Sequence, residues 1–393
     1  MTSASVALSP DAVALDRKAP VCADPIRFIK PTLPELSSVL NLYQEAYNDG
    51  TITNASVVRR FEQRVEEMLQ VRHCVAVSSC TSGLALILRS FKLEKPEVIV
   101  PSFTFFATGH AVVWNGLTPV FADCDPLTWT IDPESVEERI TERTGAIIGV
   151  HLYGNPCDVV ALERLASKYG LKLIFDSAHG FGSSYRGRAV GQFGDAEVFS
   201  LSPTKLLVAG EGGLVTTSDP ALAHSIRAAR NYGDLGAYDP EVLGLNARMT
   251  EFNAALGLAG LDLVQRKLDR HNEIARLYDA LLADVPGLSF QHVDSRDVST
   301  FKDYSVSVDA EAFGMSRDEL ADALATRNVT TKKYFSPPLH RQALYAPYYE
   351  ARPCDLRHTN HIADTVLSLP IYESLPDDTV RAVAGALRDY ARS

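Results

Sequence analysis

Leu171-Lys172-Leu173-Ile174-Phe175-Asp176-Ser177-Ala178-His179-Gly180 is an apolar run that stops abruptly on an acid. Further on, Glu197-Val198-Phe199-Ser200-Leu201 leads through Ser202-Pro203-Thr204 to Lys205 and then to the turn Gly210-Glu211-Gly212-Gly213. Short, near-continuous apolar runs of this kind read as strands buried on both faces. Working outward, Cys74–Ser79, Glu97–Ser102, Pro119–Cys124 and Ala146–Tyr153 read as further strands, and Leu214–Thr217 closes the series. Helical periods lie between them: Thr81–Phe91, a stretch stopped at Gly116, one opened by Asp132-Pro133-Glu134, and one ending at Gly170. This alternation predicts an α/β architecture, a mostly parallel sheet sandwiched by helices.

Beyond Thr250, Phe252, Leu256, Ala259 and Leu263 fall at helical spacing and predict a long helical stretch to about Leu282. The remainder mixes strands (Phe301–Val308, Val329–Phe335) with helices (Ser316–Arg327, Asp377–Ala391), as expected of a smaller C-terminal α+β domain. Near the start, Thr32-Leu33-Pro34-Glu35 reads as a capping box that opens a helix ending near Gly50. The expected organisation is a flexible tail over 1–25, a large α/β domain over 26–265 and a small domain over 266–393.

At 393 residues the chain can bury a large core. A net charge of −11 argues against nucleic acid as a partner, since no basic face offers counterion release. No apolar run approaches the roughly 18 residues of a membrane span, and the N-terminus lacks an apolar signal block, so a cytoplasmic protein without membrane contact is expected. The six cysteines are scattered with no CxxC pair, which disfavours a disulfide framework or a zinc site, and no metal is expected.

Ligands of open α/β sheets bind where strand C-termini meet loops. Ser79-Cys80-Thr81-Ser82, Asp176, Ser200 and Lys205 all fall at such ends. Alone, Lys205 would read as a solvated surface residue, Asp176 as a helix cap and His179 as a packed core histidine. Together they suit pyridoxal 5′-phosphate (PLP). A lysine amine can condense with its aldehyde, and an acid can keep its pyridine nitrogen protonated so that the ring withdraws electrons. The strand-to-helix turn with its hydroxyls suits a phosphate, and Phe105 could stack on a flat ring. The spacing of Gly180-Phe181-Gly182 does not fit a dinucleotide fingerprint.

These residues, in this order, resemble the sugar aminotransferases of the DegT/DnrJ/EryC1/StrS family, PLP-dependent transferases of fold type I. The resemblance runs from Ile29-Lys30-Pro31 to Leu369-Pro370-Ile371-Tyr372. It implies catalytic roles for Lys205 and Asp176, and cofactor contacts from Thr81, Ser82, Phe105, Asp176, His179, Ser200 and Lys205. It further implies that Asn246, in Gly244-Leu245-Asn246-Ala247-Arg248-Met249, reaches the phosphate of a neighbouring subunit's cofactor, and hence a homodimer with shared sites. Substrate contacts are implied for Lys332, Tyr334 and His340. Two positions depart from the family pattern: Ser202 replaces a common histidine, and Cys80 stands where glycine is usual in the phosphate turn.

Within the family, Thr51-Ile52-Thr53-Asn54, Ala107-Thr108-Gly109-His110-Ala111 and His151-Leu152-Tyr153-Gly154-Asn155-Pro156-Cys157-Asp158 look most like the branch that aminates C4 of a dTDP-linked 4-keto-6-deoxyglucose. That likeness implies L-glutamate as amino donor, a keto sugar nucleotide as acceptor and dTDP-4-amino-4,6-dideoxy-D-glucose as product. A 3-keto sugar nucleotide or a cyclitol ketone is the alternative acceptor. A non-catalytic regulator that binds PLP or a sugar nucleotide is the alternative of another class, against which the joint retention of Lys205 and Asp176 counts.

Overall fold

The computed structural model describes residues 19–392. Seven strands build the large sheet: β1 (His73–Val77), β2 (Glu97–Pro101), β3 (Thr118–Ala122), β4 (Thr144–Val150), β5 (Lys172–Asp176), β6 (Ala196–Ser200) and β7 (Gly213–Thr217). Their spatial order is β1-β7-β6-β5-β4-β2-β3. β7 runs antiparallel to both its neighbours, and the remaining pairings are parallel. Helices α1 (Leu36–Asn48), α2 (Ser56–Leu69), α3 (Cys80–Phe91), α4 (Phe106–Trp114), α5 (Pro133–Arg139), α6 (Val159–Tyr169), α7 (Pro220–Ala229) and α8 (Glu251–Gly260) surround it.

Residues adjacent along a strand point to opposite faces, so an apolar run supplies two cores at once. Val98, Ile148, Val198 and Val215 pack with Leu84 of α3, Val112 of α4 and Ile226 of α7. Ile99, Ile147, Phe175 and Phe199 pack on the other face with Phe61 of α2, Leu162 of α6 and Ala254 of α8. The expected punctuation holds in detail. Asp132 accepts from Glu134 N at 3.0 Å with Pro133 in the first turn, and Gly170 ends α6 at φ +64. No helix among the described residues is long and apolar enough to cross a membrane.

A 3-10 turn at Leu261–Leu263 joins α8 to α9 (Val264–Leu282), so the long helical stretch is two helices. The small domain holds the antiparallel sheet of β8 (Leu288–Phe290), β9 (Tyr304–Val308) and β10 (Val366–Leu369), with α10 (Arg317–Thr326) and α11 (Asp377–Arg388). Its core joins Ile274 and Tyr278 of α9 to Val306, Leu324, Leu367 and Val383.

Four expectations change. The capping box does not form: α1 starts at Leu36, and the Thr32 carbonyl accepts instead from Lys267 Nζ at 2.7 Å, a contact from a distant helix. Val329–Phe335 is no strand, because Val329 bridges Ile26 while Lys332 bridges Ser368, and two different partners leave no continuous ladder. Residues 19–25, counted in the flexible tail, dock on the small domain through Val21 N to Arg327 O and Asn328 Nδ2 to Cys22 O; the tail's residues 1–18 lie outside the described ones. The second half of the chain also sends residues 337–356 back to the large domain, where Leu339, Tyr345 and Leu356 join the core under α3 and α4.

Candidate active site

The C-terminal ends of β1, β4, β5 and β6 converge on a cavity of about 380 Å³, with the loop after β2 on one side. Ser79, Thr81, Phe105, Asp176, His179, Ser200, Lys205, Lys302, Tyr334 and Phe335 are among its lining residues. The sheet order explains the meeting: β4, β5 and β6 are adjacent and parallel, so their ends lie side by side. A roomier depression of about 900 Å³ between α1, α2 and α8 is an open groove whose Arg64 and Glu67 pair with each other, and it offers no comparable chemistry.

Asp176 ends β5 with 4% exposure. Its Oδ2 accepts from Thr108 Oγ1 at 2.7 Å, and its Oδ1 accepts from Ala178 N at 3.2 Å and, more weakly, from Cys80 Sγ at 3.8 Å. Burial raises the carboxyl pKa, while the Thr108 and Ala178 donors and the nearby Lys205 pull it down. A cation set against this carboxylate would favour its charged form further. Lys205 follows β6; its backbone N–H donates to Ser202 O at 3.0 Å, and its Nζ has no hydrogen-bond or ion-pair partner among the described residues. It is half-buried and lines the cavity. Burial first, and the charge of Lys302 second, bring its pKa down to about 8.

His179 accepts at Nδ1 from the backbone N–H of Tyr153, 3.1 Å away. Since that group can only donate, the ring proton sits on Nε2. Burial, with Lys205 and Lys302 adding like charge, holds the histidine pKa well below its usual range, so the ring is neutral. Tyr153 is held at φ +59 and is followed by Gly154 at φ +95, where a Cβ would meet Thr300 Oγ1 at 1.8 Å. That turn needs its glycine.

At the opposite end of the cavity α3 begins with a capping box: Ser79 Oγ accepts from Ser82 N at 3.0 Å, and Ser82 Oγ accepts from Ser79 N at 3.1 Å. Ser82 is thus spent on the cap and does not line the cavity, whereas Ser79 and Thr81 do. The Thr81 hydroxyl has no partner among the described residues, and the helix N-terminus favours an anion beside it. β7 passes so close that a Cβ on Gly213 would stand 2.7 Å from Cys80 N and Ser79 O. Cys80 itself turns inward and is buried, with its thiol pKa raised chiefly by that burial.

Other residues fall outside the cavity. His340 is 6% exposed and satisfied, with Nδ1 2.7 Å from Ser102 Oγ and Nε2 3.0 Å from Asn360 Oδ1. It belongs to the segment that returns to the large domain and does not reach the cavity, which corrects its expected substrate role. Lys332 is exposed in a groove of about 620 Å³ beyond Tyr334, a residue common to groove and cavity. Asn246 is exposed and does not line the cavity. Sequence reasoning missed Lys302, and it assigned no role to Thr108 although Thr108 stood within a quoted stretch. Neither carries a local motif: Thr108 bonds Asp176, far away in the chain, and Lys302 comes to the cavity wall from a segment remote in sequence from the strand ends.

The cavity fits PLP on its own chemistry: a buried acid for the ring nitrogen, a lysine of lowered pKa for the aldehyde, a donor at His179 Nε2, and a helix N-terminus with a free hydroxyl for the phosphate.

Comparisons agree in family. A model of the DegT/DnrJ/EryC1/StrS aminotransferase family matches residues 37–388. The dTDP-4-amino-4,6-dideoxy-D-glucose transaminase of Escherichia coli is 32% identical over 353 residues, covering 89% of this chain and 95% of its own length. The UDP-N-acetyl-3-dehydro-alpha-D-glucosamine 3-aminotransferase of Acidithiobacillus ferrooxidans is 33% identical over 364 residues, covering 90% of this chain and 94% of its own. A crystal structure of DesI, determined in the presence of its TDP-sugar product, matches with a TM-score of 0.88 at 39% identity over 94% of this chain and 93% of that one.

Proposed function

The chain belongs to the DegT/DnrJ/EryC1/StrS aminotransferase family, and from that premise we propose that it transfers an amino group from L-glutamate to C4 of dTDP-4-keto-6-deoxy-D-glucose, using PLP and giving dTDP-4-amino-4,6-dideoxy-D-glucose. That it is a sugar aminotransferase follows from the family; the ketone, the donor and the residue roles are the proposal. The observation that carries it is the pairing of Asp176 and Lys205 in one cavity, the acid held by Thr108 and the amine without a partner among the described residues. The C4 assignment is supported by the E. coli relative, and a TDP-linked acceptor by the TDP-sugar product present in the DesI structure.

When bound, PLP supplies an aldehyde that accepts the donor amine and a ring that draws electrons from the reacting carbon. Asp176 supplies the negative charge that keeps the ring nitrogen protonated. Thr81 and the first N–H groups of α3 hold the phosphate, with Ser200 beside them. Phe105 covers one face of the slot, and His179 donates from Nε2. Lys205 Nζ would take the proton from the donor α-carbon and later return one to the sugar carbon. One amine serves both half-reactions, so ping-pong kinetics are expected. The keto sugar enters past Tyr334, and the groove that holds Lys332 takes the anionic end of the nucleotide.

Asn246 lies in a loop that exposes Tyr232, Leu235, Tyr238, Leu243 and Leu245. An apolar patch of that size suits a second copy of the chain, whose site Asn246 completes. The protein acts in the cytoplasm in this reading. A 3-keto acceptor is the second reading, favoured by the A. ferrooxidans relative. Steady-state assays on dTDP-4-keto-6-deoxy-D-glucose and its 3-keto isomer separate the two. Turnover of the 4-keto compound is expected, and turnover confined to the 3-keto isomer would overturn the C4 assignment.

A further inference from the structure

Lys302 is a lysine in the wall of the same cavity, and its side chain is only 6% exposed. Its Nζ donates to Asp303 Oδ1 at 2.7 Å and Oδ2 at 3.0 Å, and it lies 5.3 Å from the centre of the Tyr334 ring. Asp303 is fully buried, so the pair is fixed at low exposure. An ammonium group has three donors, and one acceptor group, the Asp303 carboxylate, is all that Lys302 Nζ finds among the described residues. A buried donor without an acceptor is costly, which points to an oxygen ligand.

The backbone around Lys302 is clamped. Lys302 N donates to Tyr153 O at 2.8 Å. Asn272 Nδ2 donates to Ser299 O at 2.9 Å, Thr300 Oγ1 to His179 O at 2.6 Å, and His271 Nδ1 lies 3.1 Å from Thr300 O. Phe301, the preceding residue, sits at φ +42. A phenylalanine in that region persists only where its surroundings over-determine it, and such positions gather at functional sites.

Charge selects the ligand. Among the described lining residues the cations are Lys205 and Lys302, the acids are Asp176 and Glu211, and no arginine takes part. With Lys205 committed to the carbonyl chemistry, Lys302 is the remaining fixed cation. In an amino acid the α-carboxylate is bonded directly to the reacting carbon. In a sugar nucleotide the diphosphate is carried at C1, across the ring from C4. A cation in the wall that holds the proton-transferring lysine is therefore within reach of the first and remote from the second.

We propose that Lys302, anchored by Asp303, binds the α-carboxylate of the amino donor. This rests on the transaminase reading above and adds the residue that holds the donor. Charge-assisted bonds of this kind are strong and directional enough to orient the donor for proton transfer.

The test separates the half-reactions in the PLP-loaded enzyme. L-glutamate alone should bleach the visible absorbance of the wild type. In Lys302→Met the glutamate concentration for half-maximal bleaching should rise about ten- to hundredfold. In the reverse half-reaction the concentration of aminated sugar nucleotide for half-maximal response should change by no more than about threefold, a factor too small for loss of a charge-assisted bond, while any change in Lys205 alters the rates of both half-reactions alike. Lys302→Arg should recover much of the loss. Since Lys302→Met strands a buried Asp303, the double variant Lys302→Met/Asp303→Asn removes both charges and should show the same selectivity. Calorimetry with glutarate, a dicarboxylate that cannot react, should detect binding to the wild type and none to the double variant. An unchanged glutamate response, or equal losses in both half-reactions, would overturn the inference. A wild type that fails to bleach with glutamate would instead overturn the transaminase reading beneath it.

Discussion

A lysine that attacks a carbonyl near neutral pH must release a proton that an ordinary lysine keeps to about pH 10.4. Burial and Lys302 bring Lys205 to about 8. Capture of PLP by the cofactor-free protein should accordingly speed up as pH rises through about 8 and level off above it; in Lys302→Met the midpoint should move upward, because a neighbouring cation is removed. Stopped-flow absorbance reads both. The same shift has a consequence for stability. Below about pH 8 the folded and unfolded chains both carry the proton, and folding bears the full penalty of the buried charge. From there toward the ordinary lysine range the folded amine deprotonates first and the penalty fades. Lys205→Met should therefore abolish turnover yet stabilise the cofactor-free protein by up to about 3 kcal/mol at neutral pH, with the gain shrinking in alkali, as thermal melts across pH would show. Asp176→Asn should fold normally and slow proton transfer severely. An unchanged rate would mean that another group holds the ring nitrogen.

At the scale of elements, the strand ends position these groups, and the helices that follow fix them. Thr108, on α4, reaches across to the end of β5. Thr108→Val removes the strongest donor to Asp176 and should raise its pKa further, so the acid limb of the rate profile moves to higher pH; a charge-assisted bond of about 1.5–3 kcal/mol is at stake. Gly213→Ala puts a Cβ against the backbone of Ser79 and Cys80, where no flexible side chain can yield. It should displace the start of α3 and weaken PLP binding more than it weakens the fold, as equilibrium titration against thermal melting would show. The strand-end residues were legible in the sequence because a buried run that stops on Asp176, or leads past Ser200 to Lys205, is a local signal. Thr108 and Gly213 act on partners far along the chain, and no local pattern announces that. Ser82 was misassigned for a related reason: a hydroxyl at the third helical position serves a cap as readily as a ligand.

The whole molecule brings distant segments together, and there the sequence is least transparent. Lys302 lies in a coil clamped by α9 and by the turn at Tyr153, and His340 in a segment that leaves the small domain. Alternation of strands and helices predicts the sheet but not which later segment folds back onto it. The exposed loop around Asn246 extends the same question to a second copy. If sites are shared, Asn246→Ala and Lys205→Ala are each inactive, yet mixing them under exchanging conditions should regenerate about a quarter of wild-type activity, as random pairing places both lesions in one site of the heterodimer and leaves the other intact. No recovery in dimers shown to exchange would place Asn246 in its own subunit's site. The most direct test of the account follows an isotopic label. With L-glutamate labelled at its amino nitrogen and dTDP-4-keto-6-deoxy-D-glucose, the wild type should deliver the label to C4 of the sugar, as nuclear magnetic resonance of the product would show, and Lys205→Ala should deliver none. A wild type that transfers no label, or a Lys205→Ala protein that still does, would contradict it.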